Sequence, residues 1–427
     1  MNMKQKELAI LGGEKAIKSS LKKFNTIGLE EKNAVLEVLD TGVLSKYLGC
    51  WDEDFYGGPK VKEFENYCSK YFGVNYSLVV NSWTSGLICA IGAIDIEPGD
   101  EIIVSTWTMS ASATAILHWN AIPIFADIEE KTFNISPKSV LENLSNKTKA
   151  ILAIDIFGHP CNYEELMDIC KKHNLILITD SAQAPGSIYG NQFTGTGSHV
   201  GGFSLNYHKH IHTGEGGILV TNDKKIYDKM SLIRNHGEAV IKEMKFNSQV
   251  NILGYNFRMG EIEASIGIEQ LKKLSKIVER KQEIAEILSN GLKKIEGIKT
   301  PIIENNCTHS YYVYPLIIDK DIIKIKREKI INALQSEGIK GLMSGYANIH
   351  LLPLYQNKIA YGNSNFPWSY EKTRRNISYE KGICPVAEEL NEETFIGIET
   401  CLYEYTNDNL KEIIEAFVKV FSNLNRL

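Results

Sequence analysis

The sequence predicts an α/β fold: a large domain on a mostly parallel sheet with helices on both faces, then a smaller C-terminal α+β domain. Three observations carry this. Between about residues 61 and 221, short apolar runs alternate with helix-length runs. Residues 259–295 contain no proline and keep apolar residues near helical spacing. After Gly297 the pattern changes again. Apolar strands joined by helices of such length imply a parallel sheet buried on both faces.

In chain order, residues 77–80 read as strand and 85–94 as an Ala/Leu/Ile-rich helix. Strand follows at 101–104, helix at 110–118 and strand at 122–126. Residues 150–156 and 175–179 read as strands around a helix at 163–173. The stripe Ile262, Ile266, Leu271, Leu274, Ile277, Ile284, Leu288, Leu292 and Ile295 predicts one long helix, breaking near 289–291, able to bridge two domains. Beyond it, 310–318 reads as strand, 326–337 as helix, 353–370 as loop and 410–421 as a final amphipathic helix. The expected division is 1–290 for the large domain, with an N-terminal arm and the linking helix from about 259, and 291–427 for the small one.

The bulk numbers agree. A chain of 427 residues suggests two or three domains, and 43% hydrophobic with 23% charged residues is ordinary globular usage. A formal charge of −5 with dispersed Lys and Arg gives no footprint for nucleic acid. The eight cysteines form no CxxC pair, and residues 1–11 lack a long apolar segment, which favours free thiols in a reducing cytoplasm. The uncharged stretches 76–94 and 105–126 are long enough to span a bilayer. Their internal Ser, Thr and Asn, with His118 and Pro123, fit a strand–turn–helix in a buried core better, so no membrane association is expected.

Chemistry concentrates in three segments. In GFSLNYHKHIHTGEGGILVTND, from Gly202 to Asp223, Lys209 lies between two histidines and ahead of a glycine turn. Such a lysine forms a Schiff base with an aldehyde when desolvation and nearby cationic groups lower its pKa. His208, His210 and His212 raise the rival reading of a metal cluster. No cysteine or carboxylate triad flanks them, so a cofactor loop ranks first, hydrogen-bonding loop histidines second, and metal last. In LILITDSAQAPG, an apolar strand delivers Asp180 at its C-terminal end, where open α/β sheets place ligands. A buried Asp there suits a protonated pyridine nitrogen, and Gln183 suits a ring hydroxyl; taken alone, Asp after a strand is more often a cap or turn residue. In VVNSWTSG, Thr84 and Ser85 open a helix whose free N–H groups suit a phosphate, with plain N-capping as the bland alternative.

These motifs, in this order and followed by GYNFRMGEIEASIGIEQL, resemble the DegT/StrS-type sugar aminotransferases, a branch of the fold type I pyridoxal-phosphate (PLP) enzymes. The likeness runs from Leu8 to Phe421. It implies PLP as cofactor, held covalently by Lys209, with Asp180 at the pyridine nitrogen and Gln183 at the ring hydroxyl. It implies Ser204, Thr84 and Ser85 at the phosphate, joined by Asn256 of a second subunit, hence a homodimer with shared active sites. Met109 stands where many relatives place an aromatic against the ring, and Trp83 where a glycine is usual. Relatives with His in place of the lysine are dehydratases; this chain has Lys209. The implied reaction moves an amino group from glutamate or glutamine to a keto-sugar, most commonly a nucleotide-linked keto-hexose. A cyclitol ketone, suggested by the opening LAILGGEKAI, a small phosphorylated ketone, and another PLP reaction such as sugar dehydration are the alternatives. Trp51, Tyr56, Tyr311, Tyr346 and His350 are candidates for the mouth of the site, each also read as an ordinary core or rim aromatic.

Overall fold

The computed structural model describes residues 7–243, 250–374 and 376–427; part of the N-terminal stretch read above for a leader, residues 1–6, lies outside them. The large sheet has seven strands: β1 (Tyr76–Val80), β2 (Glu101–Ser105), β3 (Ile122–Ala126), β4 (Thr148–Ile154), β5 (Ile176–Asp180), β6 (Val200–Ser204) and β7 (Gly217–Thr221). Their order is β1-β7-β6-β5-β4-β2-β3. All neighbours run parallel except β7, which is antiparallel to both β1 and β6.

Period-two alternation explains how the sheet is covered on both faces. Leu78 and Val80 of β1 and Leu219 of β7 face one apolar cluster. Val79 of β1 and Ile218 of β7 face another. The first cluster is closed by helices α1 (Trp83–Ala93) and α2 (Ser110–His118), and by the helices Tyr163–His173 and Lys224–Arg234. The second is closed by the helix Pro59–Phe72 and by α3 (Glu261–Leu292).

Helix α3 runs unbroken for 32 residues and ends close to the expected break. Its first half buries Ala264, Ile268, Leu271 and Leu274 on the large sheet. Here Gly267 is required for close approach, because a Cβ would stand 2.4 Å from the Phe64 ring. Its second half buries Ile284, Ala285, Leu288 and Leu292 against a four-stranded antiparallel sheet. That sheet contains β8 (Ile298–Lys299), β9 (Val313–Ile318), β10 (Leu342–Met343) and β11 (Phe395–Glu399), in the order β8-β9-β11-β10. The final helix, Asn407–Phe421, covers it through Leu410, Ile413 and Phe417.

The N-terminal arm packs on this smaller sheet. Leu8 is fully buried there, and the Glu337 carboxylate accepts from the N–H groups of Ala9 and Ala16 at 2.8 and 2.9 Å. Lys22–Lys23 pairs with Tyr403–Glu404. The expected loop at 353–370 opens with a one-turn helix, Pro353–Gln356, and sets Tyr355 edge-on against Phe125. The uncharged stretches 76–94 and 105–126 are strand–turn–helix units of the core, and no helix among the described residues is long and apolar enough to cross a membrane. All eight cysteines are free.

One buried ion pair links the helices of the two faces past strand β1. Arg234, fully buried, donates to Glu65 and to the carbonyl of Val79. Breaking such a pair from one side strands the other charge in the interior. Glu65→Ala is therefore expected to lose about 3–5 kcal/mol in urea unfolding; a loss below about 1 kcal/mol shows that the guanidinium finds other partners.

Candidate active site

The strand ends converge on one side of the sheet. Asp180 closes β5 and Ser204 closes β6; α1 begins three residues after β1, and α2 five residues after β2. Ligands of open α/β sheets bind beyond these carboxyl ends.

Asp180 is nearly fully buried. Trp83 Nε1 donates to its Oδ1 at 2.7 Å, and the Ser112 hydroxyl donates to its Oδ2 at 2.8 Å. The Ala182 N–H reaches Oδ1 at 3.2 Å. Burial pushes the Asp180 carboxyl above its ordinary range, while these donors and the Lys209 charge pull it back.

Lys209 lies in a turn closed by its N–H to the Asn206 carbonyl, 2.9 Å. Its ammonium sits 4.4 Å above the centre of the Tyr312 ring. Burial lowers its pKa to about 8, against the opposing pull of Asp180. A buried carboxylate and a buried amine therefore share one site, close enough for each to shift the other's proton affinity.

The neighbouring histidines diverge. Burial and then the Lys209 charge lower His208 to about 4. His210 is fully buried with Nε2 2.8 Å from the Ser310 carbonyl. The backbone N–H of His212 donates to Gln270 Oε1 at 3.2 Å. No group of three or more His, Cys, Asp or Glu among the described residues is placed to hold a metal.

Gln183 accepts from the Phe157 N–H at 2.8 Å and donates to the Tyr346 hydroxyl at 3.0 Å. Ser204 is buried, its hydroxyl 3.3 Å from the Asn206 N–H. Thr84 is exposed at the start of α1. Ser85 is buried and its hydroxyl is engaged by Asn81 Oδ1 at 2.7 Å and by the N-cap Ser82 at 2.9 Å. Met109, 61% exposed, caps α2. Asn256 is exposed, beside Asn81 through its own carbonyl at 3.4 Å.

Trp83 does not project over the start of α1. Its indole turns inward, where the Cβ of Gly202, if present, would stand 2.4 Å from the ring. Of the five aromatics considered for the mouth, Tyr346 reaches the site through Gln183. Trp51 is exposed, His350 is buried between Thr106 and Glu388, Tyr311 stacks on His309, and Tyr56 packs edge-on to Phe55. Sequence reasoning missed Ser112, one hydroxyl in a helix of small residues; Tyr312 falls in the run HSYYVY, which reads equally as a plain strand or a binding element. The only signal for Tyr312 was that run itself.

The DegT/DnrJ/EryC1/StrS aminotransferase family model matches residues 27–399. GDP-perosamine synthase of Escherichia coli O157:H7 is 33% identical over 77% of this chain and 85% of its own. A putative L-glutamine:3-amino-2,3-dideoxy-scyllo-inosose aminotransferase of Micromonospora echinospora is 27% identical over 99% of this chain and 98% of its own. An aminotransferase structure from Psychrobacter cryohalolentis superposes with a TM-score of 0.81 at 27% identity, covering 95% of this chain and 100% of that one. A GDP-4-keto-6-deoxymannose-3-dehydratase with a trapped PLP–glutamate geminal diamine superposes at 0.75 with 25% identity, covering 93% and 100%.

The depressed lysine has a thermodynamic signature. With a folded pKa of about 8 and an ordinary value of 10.5, the unfolded chain binds the proton more readily between these limits, so stability rises with pH across them. The ligand-free protein should gain roughly 3 kcal/mol relative to Lys209→Met between pH 8 and 10.5. Parallel denaturant titrations of the two proteins measure this; a difference independent of pH would place the amine in water.

Proposed function

Because the chain belongs to the DegT/DnrJ/EryC1/StrS family of PLP-dependent sugar aminotransferases, we propose that it moves an amino group from glutamate or glutamine to a nucleotide-linked keto-hexose, with PLP bound at Lys209. The observation that carries this is the buried pair of Asp180 and Lys209 at the strand ends, beside an exposed helix N-terminus.

The donor set fits the cofactor. An amine that loses its proton near pH 8 suits an aldehyde. A buried carboxylate that keeps an acceptor position free suits a protonated ring nitrogen. Thr84 at the start of α1, with Ser204, suits a phosphate, and the backbone N–H groups of that first turn add to it. Ser85 supports the same turn from beneath through Asn81 and Ser82. Gln183, held by Phe157 and Tyr346, would orient a ring hydroxyl, and Met109 would lie against the ring face.

When bound, PLP supplies an aldehyde and an electron-withdrawing ring that lowers the cost of negative charge at the substrate carbon. The chain supplies the rest. Lys209 Nζ takes and returns the proton at the carbon bearing the amino group, and its lowered pKa makes both directions accessible near neutral pH. Trp83, Ser112 and the Ala182 N–H favour the ionised form of Asp180 and offset part of the upward shift that burial imposes. The Tyr312 ring lies against the amine, which is 4.4 Å from the ring centre.

Asn256 is exposed and free to reach a second copy, which supports a homodimer with shared sites. Free thiols support a reducing cytoplasm, and 1–290 and 291–427 remain our proposed domains, joined by α3. A cyclitol ketone is the second reading of the acceptor. It is favoured by the likeness over 99% of the chain to the putative scyllo-inosose-type aminotransferase.

The purified protein, given PLP, should absorb in the visible, lose that band on borohydride treatment and carry pyridoxyl on Lys209 by peptide mapping. Lys209→Ala should stay folded and stall turnover. A protein that takes up no PLP, or a Lys209→Ala variant as active as the wild type, overturns the proposal. Formation of 2-oxoglutarate from glutamate with a panel of nucleotide-linked 4-keto-hexoses and scyllo-inosose then separates the acceptors.

A further inference from the structure

We propose that Trp83 is a positioning residue: its indole N–H occupies Asp180 Oδ1, fixes the carboxylate plane and leaves Oδ2 to receive the ring nitrogen. This deepens the reading above and rests on it.

The argument is a count of lone pairs. A carboxylate oxygen accepts about two hydrogen bonds. Oδ1 already accepts from Trp83 Nε1 at 2.7 Å and from the Ala182 N–H at 3.2 Å. Among the described residues Oδ2 accepts only from Ser112, at 2.8 Å. The one vacant acceptor position is therefore on Oδ2. Three donors from three places (α1, α2 and the backbone after β5) hold the carboxylate against rotation.

The sequence around Trp83 makes room for this contact. A Cβ on Gly202 would stand 2.4 Å from the indole, and one on Gly86 would stand 2.8 Å from it. A Cβ on Gly217 would meet the Trp83 backbone at 2.9 Å. Trp83 is 6% exposed, so its N–H bond lies in a largely water-excluded site, where it is stronger than in water. A tryptophan used only for packing does not need its N–H aimed at a buried carboxylate; this one makes a short charge-assisted bond to it. The other charged or titratable groups that act on or feel Asp180 are Lys209, Tyr346 and Cys161. Only Lys209 among them is a cation.

The test compares the full-length wild type with Trp83→Phe, which keeps an aromatic ring and removes the donor. PLP titrations followed by visible absorbance should show affinity weakened about tenfold, the scale of one hydrogen bond to a charged group. Without the donor, the Asp180 proton is harder to remove, so the ionised form is lost at higher pH. The acid limb of kcat/KM should move up by about one pH unit. If Trp83→Phe does not fold, benzothienylalanine at position 83 keeps the shape of the indole without its N–H and should give the same two shifts. A variant with lowered Tm but unchanged PLP affinity and acid limb would make Trp83 a packing residue and overturn the inference, leaving the PLP reading intact. A wild type that binds no PLP would overturn both.

Discussion

Keeping a carboxylate ionised inside a protein requires donors that arrive together from different parts of the chain. Asp180 imposes that constraint here, and much of the large domain is arranged to meet it. Trp83 comes from the helix after β1, Ser112 from the helix after β2, and the Ala182 N–H from the turn after β5 itself. Each requires its own strand to end at the same level, which a parallel sheet with short crossovers provides. The glycines at 86 and 202 follow from the same constraint, because an indole placed between α1 and β6 leaves no volume for a Cβ at either position.

Lys209 is the counterpart, and it depends on the smaller sheet. Tyr312, just ahead of β9, lies under its ammonium. The Ser310 carbonyl accepts from His210 Nε2, so the residue beside the lysine is tied to the same segment. Tyr346 ties Gln183 to the segment after β10. The amine is thus desolvated by residues that lie more than a hundred positions away in sequence, brought in by the long helix α3, which is packed on both sheets. The low proton affinity of the lysine is a property of the closed assembly of sheets rather than of the loop that carries it.

Much of this was legible. Short, nearly continuous apolar runs such as Ser77–Val80 and Glu101–Val104 mark strands because a sheet covered on both faces buries both sides of each strand. The stripe from Ile262 to Leu292 marks a helix because its 3.6-residue spacing must meet a continuous apolar surface. Asp180, Gln183, Ser204 and Lys209 stand out because strand ends and glycine turns are local signals, and Asp180 and Lys209 lie close enough to act on each other's charge. Ser85 was legible as a residue of the helix start, but its hydroxyl is drawn into the N-cap network with Ser82 and Asn81, a choice set by side-chain geometry. Trp83, read from its position as a bulky residue at the phosphate turn, instead points into the core. Nothing local distinguishes those two rotamers; the space beside Gly202 does.

The sequence by itself determined the alternation of strands and helices, the long connecting helix, the order of the cofactor motifs and hence the family. These are set by local periodicity and by residue types whose chemistry does not depend on distant partners. Only the tertiary structure decided which hydroxyl and which indole hold Asp180, which tyrosine lies under Lys209 and which of the five rim aromatics reaches the site. Those choices depend on desolvation and on angstrom-scale contacts between segments remote in sequence, and such energies exist only once the two sheets are packed on their shared helix.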